Sequence, residues 1–107
     1  MDVIRNCDVE GVVYAVPKGH KHYRLVVFLR DGRILVFSEA FVANIVRAYV
    51  TVHTHPVKRA IELKRFVLTE GEKKDGYAKC QLLEIEKEKK EEEIREKVRS
   101  ILDSASN

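Results

Sequence analysis

Two apolar runs, residues 25–29 and 34–37, stand on either side of Asp31-Gly32. Asp-Gly suits the two positive-φ positions of a type I′ turn, whose twist matches the strands that flank it. Counting outward, Arg30 faces Arg33, Leu29 faces Ile34, Phe28 faces Leu35, Val27 faces Val36 and Val26 faces Phe37. That register puts Leu29, Ile34, Val27 and Val36 on one face and Phe28, Leu35, Val26 and Phe37 on the other. Both faces are apolar, whereas a sheet with one wet face alternates. The hairpin of residues 23–38 is therefore expected at the centre of a sheet and covered on both sides. Helices supply one cover in this reading, and a partner subunit the other.

The rest of the chain supplies further strands and two helices. Val12, Tyr14 and Val16 alternate with Val13 and Ala15 in a strand that Pro17, Lys18 and Gly19 break. Ser38 is a good N-cap, and Phe41, Val42, Ile45, Val46 and Tyr49 recur at helical spacing over residues 38–49. Residues 49–56 then alternate, with Val50, Val52 and Thr54 opposite Thr51, His53 and His55, which predicts a strand ended by Pro56. Residues 57–69 fit either period; the β-branched and aromatic content near Phe66 favours a strand. From Tyr77 to Leu102 the chain reads as one helix with apolar ends and a charged middle, including the i, i+4 pairs Glu86/Lys90, Glu91/Arg95 and Glu93/Lys97. Its second half carries an apolar stripe, Ile94, Val98, Ile101 and Leu102, suited to folding back on the body or docking on another subunit. The expected architecture is α+β: one antiparallel sheet of four to five strands centred on the hairpin, one packed helix and a long charged C-terminal helix. Residues 1–81 form the body and 82–107 the tail.

A chain of 107 residues suits a single core. No apolar run is long enough to cross a membrane, and the acids near the N-terminus do not suit a secretory signal, so a cytoplasmic setting is expected. Cys7 and Cys80, far apart and outside any CxxC, read as reduced thiols, with a disulfide left as the alternative. Net charge is +5 over residues 1–81 and −2 over 82–107. No glycine-rich phosphate loop and no GxSxG occurs, and these absences remove nucleotide enzymes of the common types.

All four histidines fall in two His-x-His pairs, His20/His22 and His53/His55. On extended backbone, residues two apart share a face, so each pair could offer two imidazoles to one metal, zinc or another transition ion. The segment His53-Thr54-His55-Pro56 resembles the His-x-His-Pro segment of the JAMM/MPN metalloprotease family. The resemblance covers some eight residues and implies a strand that delivers two histidines to a zinc, with a glutamate activating the bound water. Glu10 and Glu39 are the candidate glutamates. The family's Ser-x-x-Asp, its third ligand, has no counterpart in the stretch from Lys64 to Thr69.

The body is also basic. Arg30, Arg33, Lys58, Arg59, Lys64 and Arg65 are the candidate anion or nucleic-acid contacts, with Tyr23, Tyr49 and Tyr77 available for stacking. Arg30 opposite Arg33 is a like-charge pair that solvent or an anion must compensate. The sequence favours a non-enzymatic, self-associating interaction module, a homodimer, with no cofactor required. The alternatives are a His-x-His metal-binding protein, conceivably a JAMM-like hydrolase, and a nucleic-acid-binding domain.

Overall fold

The computed structural model describes residues 2–72, 79–84 and 91–105. The fold is α+β with two antiparallel sheets, and the order is β1 (Val9–Ala15), β2 (Arg24–Leu29), β3 (Ile34–Ser38), α1 (Glu39–Thr54), β4 (Leu63–Val67), β5 (Cys80–Glu84) and α2 (Glu91–Ala105). One sheet has three strands ordered β1-β2-β3 and the other pairs β4 with β5. The single sheet of four to five strands is thus corrected to a sheet of three and a sheet of two. The chain divides into two compact units, Met1–Ala43 and Asn44–Asn107.

In the first unit the hairpin forms, but one residue out of the expected register. Phe28 pairs with Ile34, Val27 with Leu35, Val26 with Val36, and Leu25 with Phe37. The loop holds three residues, because Leu29 N–H donates to the Arg33 carbonyl (2.9 Å) and Gly32 N–H to the Leu29 carbonyl (3.0 Å). Gly32 has a φ of 95°, the left-handed residue that closes a three-residue hairpin loop with a bulge. The Asp31 carboxylate accepts from the Arg33 backbone N–H at 3.0 Å, a local turn that a two-residue loop would not need. At the other end of the sheet His20 N–H donates to the Pro17 carbonyl (2.9 Å), with Gly19 at a φ of 81°.

The second unit departs further from the expected elements. α1 runs past Tyr49 to Thr54, so the strand predicted over residues 49–56 is helix for most of its length. Tyr49 stacks on His53 one turn on, with ring centroids 4.1 Å apart, and Thr54 Oγ1 donates back to the Val50 carbonyl at 2.7 Å. The Tyr49–His53 pair at i, i+4 supports the helix, and the Thr54 hydroxyl is satisfied inside it rather than by a strand neighbour. Within residues 57–69 a strand does form, confined to Leu63–Val67, and its partner is Cys80–Glu84 in register Lys64↔Leu83 and Phe66↔Gln81. That partner occupies part of the stretch read as the start of the long helix. The Glu86/Lys90 pair and Tyr77 lie outside the described residues. In α2, Glu91 accepts from the Arg59 backbone N–H (2.9 Å) and Lys97 reaches Glu62 (3.5 Å). Neither joins the i, i+4 pair expected of it; the pairs within the helix are Glu92–Arg95 (3.1 Å) and Glu96–Arg99 (2.6 Å).

Candidate association surface

Strand alternation and the observed register sort the first unit's side chains into two faces. Leu25, Val27, Leu29, Leu35 and Phe37 share one face with Val12 and Tyr14. Leu29 is 5% exposed, the one buried apolar residue among those described. Phe37 stacks on Phe41 in the first turn of α1, ring centroids 5.4 Å apart. That turn is held by Ser38, whose Oγ accepts from the Phe41 N–H at 3.2 Å, the cap expected of it.

The opposite face consists of Val13, Val26, Phe28, Ile34 and Val36, with Gly11 and Ala15 on β1 and Arg24 and Ser38 at its end. It is open. Ile34 is 59% exposed, Val36 61%, Val13 50% and Phe28 37%. The expectation that both faces are apolar therefore holds despite the slipped register, since a slip exchanges one greasy set for another. The expectation that both are covered does not hold within one chain. Fully burying a Val, Ile or Phe is worth about 1.5–3 kcal/mol, so these four residues leave several kcal/mol of burial unrealised.

On α2, Ile94 is half-buried, and Ile94, Val98 and Leu102 line a groove of about 450 Å³ with Ala60 and Ile61, rimmed by Arg59, Arg95 and Arg99. Ile101 lies outside that lining and is 45% exposed. Val98 and Leu102, 49% and 48% exposed, are as open as Ile101, so the stripe beyond Ile94 is left largely uncovered.

The histidines are held in two different ways. His22 Nδ1 lies 3.4 Å from Glu39 Oε2, in the loop between β1 and β2 and at the start of α1. His53 is on the last turn of α1, where residues two apart point to different sides of the helix, so the same-face argument for His53 and His55 fails there. His55 turns its Nδ1 to the backbone and accepts from Val57 N–H (3.2 Å) and Lys58 N–H (2.9 Å). The strand implied by the JAMM resemblance is helix. Among the described residues no three His, Cys, Asp or Glu gather as metal donors, and Cys7 and Cys80 are exposed free thiols.

The six basic candidates divide between the two units, Arg30 and Arg33 in the first and Lys58, Arg59, Lys64 and Arg65 in the second. Arg33 binds Asp31 (2.8 Å) and Asp2 (3.0 Å), while Arg30 donates from its backbone to Asp8 and from its side chain to the Cys7 carbonyl (3.4 Å). Two carboxylates thus meet the charge of Arg33, while both partners of Arg30 are backbone carbonyls, those of Asp8 and Cys7. The hydrogen bond from the Arg33 backbone holds the Asp31 carboxyl below its ordinary value, and the two carboxylates raise Arg33. In the second unit Lys58 pairs with Glu84, and Arg59, Lys64 and Arg65 are exposed. Sequence reasoning missed the stacking of Tyr14 on Tyr23; the signal was two tyrosines spaced about the Pro17 turn. No described helix is long and apolar enough to cross a membrane. Comparison of the chain with protein-family models, with curated proteins and with solved structures finds no match.

Proposed function

We propose that the chain is a non-enzymatic interaction module that associates with a second copy of itself through the open face of its three-stranded sheet. The observation that supports this reading is the row Val13, Phe28, Ile34 and Val36, apolar and 37–61% exposed on one face of the three-stranded sheet. A second copy is the fitting occupant because the middle of the face carries no charge for a dissimilar partner to read. Two such faces packed about a two-fold axis form an aligned sheet-on-sheet core. The scarcity of buried apolar residues points the same way, with Leu29 alone buried among the described apolar residues. The stripe on α2, with Val98, Ile101 and Leu102 45–49% exposed, is the alternative surface for self-association.

Light scattering at tens of micromolar is expected to return twice the 12.4 kDa chain mass. Val36→Lys buries an unpaired ammonium in the joined faces and is expected to return the single-chain mass with unchanged circular dichroism. A wild-type protein that stays at the single-chain mass refutes the reading. Ile101→Lys separates the two contacts: loss of the dimer in that variant alone moves the interface to α2 and removes it from the sheet.

A further inference from the structure

We infer that the end of the three-stranded sheet around Tyr14 and Tyr23 is a binding site for single-stranded nucleic acid. The two phenol rings stack with centroids 5.0 Å apart and planes 13° from parallel. Both are substantially exposed, Tyr14 at 49% and Tyr23 at 42%. A pair stacked on itself keeps its outer ring face free, and an unstacked base gains most from a rigid aromatic plane of this kind.

The charge around the rings supplies the second half of such a site. Lys18, His20, Lys21 and His22 are all exposed in the short loop that runs from β1 to Tyr23, and Arg24 follows at the start of β2. Gly19 at a φ of 81° and the His20-to-Pro17 hydrogen bond fix the turn in that loop. Among the described residues neither Lys18 nor Lys21 has an ion-pair partner. The acids of this unit mostly lie elsewhere: Asp2, Asp8 and Asp31 sit by the opposite end of the sheet, each already engaged by Arg5 or Arg33. Among the described residues Glu39 is the acid paired with this loop, against His22. Paired charge thus gathers at one end of the strands and unpaired positive charge at the other, next to the stacked rings. That combination, an aromatic plane beside free cations, suits a base and its flanking phosphates. It involves none of the six basic residues singled out from the sequence, and of the face proposed for dimerisation only Arg24 at its end.

Fluorescein-labelled oligo(U) and oligo(dT) of about 8 nucleotides, within the range a small domain covers, are titrated with the full chain and followed by anisotropy. Binding of either strand at about 50 mM salt, weakening steeply by 200 mM, is expected, with a duplex of the same length bound less well. Tyr23→Ala and Tyr14→Ala should each weaken binding about fivefold or more, while Tyr23→Phe keeps the ring and binds as the wild type does. Replacing Lys18 and Lys21 together by Gln should flatten the salt slope by about 1.4. Arg33→Gln, at the far end of the sheet, should leave the affinity unchanged. Oligo(U) favoured over oligo(dT) would add a contact to the ribose hydroxyl; equal binding would leave base and phosphate as the ligand. Absence of binding to both strands up to about 100 µM, the weak end of non-specific affinity, overturns the inference. Binding that both alanine variants and the lysine pair leave untouched overturns it equally. Val36→Asn, which interrupts the apolar face without adding charge, should give the same titration as the wild type whether or not the dimer exists, so the two proposals stand or fall apart.

Discussion

Gly32 holds a φ of 95°, and no other side chain crowds the position its Cβ would take. The penalty for Gly32→Ala is therefore backbone strain alone, about 1–2 kcal/mol, read as a lower urea midpoint with an unchanged slope. Asp31 beside it carries a pH dependence. Its carboxylate is favoured in the fold by the Arg33 backbone N–H, so its pKa lies below the usual 3.8. Stability from a lowered acid is fully present above the unfolded value and is lost as pH falls through the folded one. Asp31→Ala is therefore expected to trail the wild type most at neutral pH, the gap closing on acidification below about pH 4. A constant gap down to pH 2 would show that the carboxylate's charge plays no part in the loop. The Asp-Gly pair was legible as a turn. Its length was not, because the Asp31 side chain competes for backbone hydrogen bonds in a way the two letters do not reveal.

At the level of elements, strands with a run of apolar residues on both faces were readable, and β1, β2 and β3 fall where alternation and the Pro17 and Asp31 breaks put them. The stretch from Tyr49 to Thr54 was misread because β-branched alternation and the i, i+4 series Phe41, Ile45, Tyr49, His53 coexist there. The helix prevailed by continuing a series already begun at Ser38. The charged run before α2 hid β5 for a related reason: Cys80–Glu84 has no alternation of its own and is a strand by pairing with β4. Lys58–Glu84 and Glu62–Lys97 fasten segments of the second unit, with side chains between 13% and 55% exposed. Double-mutant cycles on either pair should return no more than about 1 kcal/mol of coupling, shrinking in 1 M salt. Coupling of 3 kcal/mol or above would mean that water is excluded there far more than these exposures allow.

For the whole molecule, the most informative sequence property was the amount of apolar surface, since it does not depend on getting a register or an element boundary right. What the residues could not convey is which part of that surface the chain hides for itself. The dimer reading has a thermodynamic corollary: a protein whose fold is completed by a second copy melts at a temperature that climbs with its concentration. Calorimetry across a hundredfold dilution should show that climb, and a flat series would argue for a self-sufficient monomer. The stacked tyrosines have an optical consequence as well. The chain has no tryptophan and four tyrosines, so its ultraviolet emission comes from very few rings, two of them pressed together at 5.0 Å. Whatever parts or shields that couple alters the glow of the unlabelled protein, which makes this end of the molecule its own reporter dye.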